Sequence, residues 1–212
     1  MPFRLAAIII VALLQLFAAA GLAEAQRHKG KIGGGGGFAF LADPDVDLGR
    51  TASFGGFLGV RFNDNVSLEG GLFLVRSNRV FNDFGMPVDD TPDTPAFRFE
   101  TIRIHADAVL MFNIGRRQPF HPFVLVGAGV ERRDDKQTDF TFGTDPITGL
   151  PLLINTEVSL NATRYLPTGI VGAGAEFYFM YNLAARAEIR LWIPKDWGQR
   201  TQALFFAATY FF

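Results

Sequence analysis

His105 and Asp107 stand two residues apart, and so do Ser67 and Glu69. In an extended chain, side chains two apart share a face. The four residues therefore contain the makings of a Ser-His-Asp hydrolase. A triad is defined by geometry rather than by residue presence, and His105 beside charged neighbours reads more simply as an interior hydrogen-bonding partner. Gly33 to Gly37 could suggest a phosphate-cradling loop, but no Gly-Lys-Ser/Thr follows it. His28 and His121 are too separated to suggest a metal site. Asp43, Asp45 and Asp47 alternate and could offer oxygen ligands to a cation. They lack the Gly and terminal Glu of a calcium loop, so a solvated acidic loop is the reading, as it is for Asp89, Asp90 and Asp93. No catalytic, cofactor-binding or metal-ligating residue is assigned, and no cofactor is expected.

The most informative constellation is Arg186, Glu188, Arg190, Glu176, Arg103 and Asp107. It can be read as a gated polar path or as a salt-bridged plug. The choice depends on what positions these residues, and their spacing says strands. In Leu183 to Ile193, Leu183, Ala185, Ala187, Ile189, Leu191 and Ile193 are apolar, while Ala184, Arg186, Glu188, Arg190 and Trp192 alternate with them. A helix would spread those charges around its circumference, whereas a strand collects them on one face. The pattern recurs. Ile102, Ile104, Ala106, Ala108, Leu110 and Phe112 oppose Thr101, Arg103, His105 and Asp107. Val66, Leu68, Leu72 and Leu74 oppose Ser67 and Glu69. Val171, Ala173, Ala175, Phe177, Phe179 and Tyr181 oppose Gly172, Gly174, Glu176 and Tyr178. Leu204, Phe206, Ala208, Tyr210 and Phe212 share a side of the last run. With Ile32 to Leu41, Thr51 to Phe62 and Phe120 to Glu131, the chain offers eight strands of about ten residues, the length that crosses a membrane when tilted.

Composition agrees. The 212 residues allow one domain or at most two, and the 23 Phe and 23 Gly suit strands better than helices. The net charge of -1 argues against a nucleic-acid partner, and the absence of Cys excludes a disulfide framework and a thiolate metal site. Arg4, an apolar stretch from Leu5 to Ala20 broken only by Gln15, and Ala23-Glu24-Ala25 have the order of a secretory signal peptide. Cleavage after Ala25 is expected, leaving a barrel domain over 26–212.

The connections alternate in length. Asn63-Asp64-Asn65, Gly115 to Pro119 and Tyr181-Asn182 are short. Ala42 to Arg50, Ser77 to Ala96, Arg132 to Pro167 and Pro194 to Arg200 are longer. That asymmetry belongs to outer-membrane barrels, with short periplasmic turns and longer external loops. An even strand count then puts both termini in the periplasm. Within the longest link, Thr138 to Phe142 and Leu152 to Leu160 read as strand extensions with a tip at Asp145 to Gly149. Phe62, Phe112, Phe120, Tyr181, Tyr210 and Phe212 fall near one rim, and Trp192 and Trp197 near the other, as interfacial girdles would. A soluble lipocalin-like barrel shares the period but inverts the faces. In-strand glycines fit a small, crowded, strongly curved barrel.

Ala203 to Phe212 resembles the C-terminal recognition strand of bacterial outer-membrane proteins, with Phe212, Tyr210, Phe206 and Leu204 on the matching positions and Ala208 the weak one. Val171-Gly172-Ala173-Gly174-Ala175-Glu176-Phe177 followed by Asn182 to Arg190 resembles the sixth and seventh strands of small OmpA-like and opacity-type barrels. The resemblance implies an all-β fold, an eight-stranded antiparallel up-and-down transmembrane barrel, and lumen-facing ion pairs. It also implies outer-membrane lipid and the barrel-assembly machinery as partners, the latter through the C-terminal strand. Eight strands leave a lumen just wide enough for side chains, which favours the plug. The expected function is a non-catalytic, monomeric outer-membrane protein with a structural or surface-interaction role. The alternatives are a narrow channel for small solutes, a lipid-modifying enzyme, and a secreted soluble ligand-binding barrel.

Overall fold

Every second residue in the patterned runs is apolar, and the backbone answers with extended strands whose two faces differ. The computed structural model describes residues 30–42, 48–63, 65–82, 88, 96–114, 119–144, 151–195 and 199–212. The predicted signal peptide, His28, the aspartates of 43–47 and 89–93, Trp197 and the 145–149 tip lie outside them. Eight strands follow in chain order: β1 (Gly30–Leu41), β2 (Arg50–Arg61), β3 (Val66–Phe81), β4 (Phe97–Asn113), β5 (Phe120–Thr144), β6 (Pro151–Met180), β7 (Leu183–Pro194) and β8 (Thr201–Phe211). Each is antiparallel to the next, and β1 pairs with β8, so the sheet closes into a barrel. Closure leaves no strand edge inside an apolar slab, where unpaired backbone groups are costly.

The closing rung joins the two ends of the described chain. Gly30 and Phe212 exchange both backbone hydrogen bonds, each at 2.9 Å. The short connections 61–66, 113–120 and 180–183 lie at this same end, and the longer ones at the other. β1 also shows why its glycines are needed. A Cβ on Gly35 would run into the Phe206 carbonyl of β8, and one on Gly37 into the Leu204 carbonyl. At Gly35 and Gly37 the first strand therefore approaches β8 this closely only without a side chain.

The strand faces are as the alternation predicts. Ile32, Phe54, Leu72, Phe112, Val171, Ile189 and Phe206 are exposed on the outside. Arg103, His105, Asp107, Glu176, Arg186, Glu188 and Arg190 are buried inside. The interior also holds a packed apolar set that includes Phe57, Phe73, Phe123, Leu125, Met111, Ile170 and Phe205.

One element differs from the sequence reading. The 132–167 segment is not a link carrying separate strand pieces. β5 and β6 run through it as a continuous hairpin from Phe120↔Phe177 to Thr144↔Pro151, with register shifts between Gln137 and Thr138 and between Thr141 and Phe142. Glu131-Arg132-Arg133-Asp134-Asp135 carries charge on both faces, so its apolar period vanishes although its backbone ladder does not. β3 and β4 also continue past the barrel, to the stacked pair Phe81 and Phe97 at 5.1 Å.

Candidate functional site: the charged interior

The inward faces of the strands bring cations and carboxylates together across the lumen. Among the described residues, Lys31, Arg103, Arg133, Arg186 and Arg190 are buried, against Glu69, Asp107, Glu131, Asp135, Glu176 and Glu188. The near balance of sign matters, because a buried charge without a partner costs several kcal/mol.

Arg186 of β7 anchors the half nearer the termini. Its two terminal nitrogens donate to both oxygens of Glu69 on β3, at 2.9 and 3.0 Å, and its Nε donates to Glu188 at 2.8 Å. Lys31 of β1 pairs with the same Glu69 and lies 3.6 Å from Glu176. The guanidinium is sandwiched between the rings of Phe57 and Phe123, at 4.4 and 4.6 Å. The planar, weakly hydrated guanidinium group suits this combination of a carboxylate fork and flanking aromatic faces.

Glu188 hands the network on. Arg190 lies 2.8 Å from Glu188 and donates to Asp107 at 3.0 Å, while its guanidinium rests over Phe73. Trp192 donates its indole N–H to the same Asp107 oxygen at 2.8 Å. Farther up, Arg133 donates to Glu131 at 2.7 Å and to the Gln199 backbone carbonyl at 3.1 Å. Arg103 lies 3.9 Å from Glu131 and donates to Thr201 at 2.8 Å. The stacked rings of His105 and Trp192, 4.4 Å apart, join the two halves. At the terminal end, Arg61 donates to the Tyr178 hydroxyl at 2.9 Å, and that hydroxyl donates to Glu176 at 3.2 Å. Tyr178 stacks on Phe211 at 5.0 Å. From one mouth to the other, the lumen is spanned by ion pairs and rings.

The hydrolase set is not assembled. Asp107 serves Arg190 and Trp192, while His105 stacks on Trp192 and its Nδ1 lies 3.8 Å from Glu131. Ser67 is buried without a hydrogen bond to either. His121 packs against Tyr178 at 4.7 Å, and among the described residues no His, Asp and Glu cluster could hold a metal.

One expectation is corrected. Trp192 does not belong to an outer aromatic girdle. It is buried in the lumen, on the face of Arg190 and Glu188. The indole N–H explains this, since Asp107 offers it a partner that hydrocarbon lacks. The other rim aromatics Phe62, Phe112, Phe120, Tyr181, Tyr210 and Phe212 are exposed on the outside. Sequence reasoning passed over Lys31, Glu131 and Arg133 as lumen partners. Their signal was parity: Lys31 shares its face with Gly33, and Glu131 and Arg133 continue the inward set of Phe123 and Leu125.

An apolar exterior around a neutralised, side-chain-filled interior defines a membrane-spanning barrel of the outer-membrane type. The chain belongs to the outer membrane protein beta-barrel domain family, whose model matches residues 9–201. Two solved structures show the same fold. Ail, the attachment invasion locus protein of Yersinia pestis, solved with the heparin analogue sucrose octasulfate, is 15% identical with a TM-score of 0.55, over 88% of this chain and 100% of its own. Neisserial surface protein A is 12% identical with a TM-score of 0.50, over 89% of this chain and 100% of its own. No curated protein matches the chain.

Proposed function

We propose that this outer-membrane barrel acts as a monomeric, non-catalytic structural or surface-interaction protein. Its termini and short turns lie in the periplasm, and its β5–β6 hairpin stands outside the cell. The filled lumen carries the reading. Arg186, Glu69, Glu188, Arg190 and Asp107 form one ion-paired chain with aromatic rings packed between its members. Such an interior favours a plug over an aqueous route, and among the described residues the candidate serine, histidine and aspartate are not assembled, so the reading turns to the surfaces that other molecules can meet. The β5–β6 hairpin is the largest of these, since β5 has 25 residues and β6 has 30 against 12 in β7. The test is single-channel recording on the purified barrel in planar bilayers. Silence is expected, and discrete unitary steps that Arg190→Ala enlarges would replace the plug with the narrow-channel reading.

A further inference from the structure

Among the described residues, every outward-facing Lys or Arg on a strand lies in the half of the barrel away from the termini. These are Arg50 on β2, Arg76 on β3, Arg98 on β4, and Arg132 and Lys136 on β5, all exposed. The outward faces of β1 and β8 carry no charge along their length, from Ile32 to Phe40 and from Leu204 to Phe212. Outward cations are unfavourable against hydrocarbon, so this belt marks the level at which polar headgroups begin.

Two of the five stand over a groove. Phe54, Leu74 and Ile104 form one outward row through the pairs Phe54↔Leu74 and Leu74↔Ile104. The next row toward the termini is Gly56, Leu72 and Ala106. Its small flanking residues leave Leu72 standing 63% exposed. Between the rows lies an open apolar groove of about 350 Å³, lined by Phe54, Gly55, Leu72, Phe73, Leu74 and Ile104. Arg132 stands opposite Ile104, and Arg76 stands opposite Ile102, two residues farther along the same strand. The two arginines thus flank β4 from either side, two strand spacings across and two residues along, or roughly 12 Å apart. Arg132 has one acidic neighbour, Asp134 at 3.0 Å, which itself accepts from Thr163 at 2.7 Å. No ion pair engages Arg76 among the described residues.

We infer that this is a binding site for a phosphate-bearing lipid of the leaflet at that end. Its headgroup phosphate sits between Arg76 and Arg132, and an acyl chain lies in the groove over Leu72. The inference rests on the membrane orientation proposed above. Charge complementarity selects the headgroup, since guanidinium groups match phosphate oxygens with paired, directional N–H donors. The groove selects a lipid over a free anion, because an apolar slot gives a water-soluble phosphate nothing to bury.

The experiment is native mass spectrometry of the folded barrel in detergent, titrated separately with dioleoylphosphatidic acid, dioleoylphosphatidylcholine and inorganic phosphate. Folding of each variant is verified by heat-modifiable gel mobility. The wild type should retain phosphatidic acid in preference to phosphatidylcholine and should show no inorganic phosphate adduct. Arg76→Gln combined with Arg132→Gln should weaken phosphatidic acid binding by about tenfold, the scale of one charged hydrogen bond. Leu72→Trp, which fills the groove, should weaken both lipids. Arg164→Gln, opposite inward-facing Arg133, should leave binding unchanged. Equal retention of the two lipids by the wild type overturns the proposal without recourse to any variant. So does an inorganic phosphate adduct that persists in Leu72→Trp, which would make the site an anion site only. Protease added to whole cells that cuts at the termini and spares the β5–β6 hairpin would instead sink the membrane orientation.

Discussion

Arg186 is the residue on which the interior turns. It satisfies both oxygens of Glu69 and one of Glu188 while filling the gap between two phenylalanine rings. Arg186→Leu keeps much of the volume but leaves Glu69 with Lys31 alone. The expected loss is about 3–5 kcal/mol, the scale for breaking a buried pair. It is read as a fall in the urea midpoint for unfolding from detergent or lipid. Ile189→Arg tests the opposite face. Ile189 is 62% exposed on the outside, and an arginine near the bilayer midplane costs about 2–4 kcal/mol. Single-Cys labelling separates the faces directly: a lipid-soluble reagent should reach position 189 and miss position 190, and the reverse pattern would invert the barrel. These assignments are legible in the sequence, because a strand's period of two leaves only the choice between inside and outside. The partners are not. That Arg186 reaches Glu69 from the far side of the lumen depends on strand register around the barrel, which no local pattern encodes. Trp192 was misplaced because its parity and its apparent rim position pointed in opposite directions, and the indole N–H decides for parity.

At the scale of elements, the alternating runs marked all eight strands, and their outward residues are where the pattern put them. The ends of β5 and β6 were not legible. Charges on both faces erase the amphipathic signal, and only the partner strand shows that the ladder continues. The same fact makes the hairpin separable. Beyond Asp135, among the described residues, none of its side chains is fully buried and only Leu160 packs against the apolar interior. Joining Lys136 to Asn161, which face each other in register, through a two-residue turn should remove the outer hairpin and leave the barrel intact. The shortened protein should keep the wild-type heat-modifiable shift and the wild-type urea midpoint. A lowered midpoint would mean that the hairpin braces the rim. β8 carries a different expectation. Phe212 stands where the terminal strands that β8 resembles carry their recognition residue, and the proposal is that it is read during assembly, while Phe206 is an outward residue. Deletion of Phe212 should reduce folded protein in the outer membrane of cells more than Phe206→Ala does. Both variants should refold equally well from urea into detergent.

The molecule as a whole is a closed wall around an ionic core, and the folding route inherits that design. Membrane-localised protein should begin at Gln26 on N-terminal sequencing; an intact Met1 would remove the export reading. Within the wall, the two lines of pairing along β1, to β8 and to β2, differ from the rest, and on the β2 side Gly34 and Gly35 face Gly56 and Gly55. Over five successive rungs, β1 offers Gly33 to Gly37 against Thr209, Ala208, Ala207, Phe206 and Phe205. Facing side chains are the usual source of cohesion between strands, and here one partner has none. Backbone hydrogen bonds hold those rungs with little help, and each glycine adds to the entropy released when the strand comes free. The barrel therefore has a built-in zipper line, the last to shut on assembly and the first to part under load. Amide hydrogen exchange would reveal it: Gly33 to Gly37 should exchange well ahead of Ile102 to Leu110 on the opposite wall, and a force applied between the termini should peel β1 away before any other strand yields.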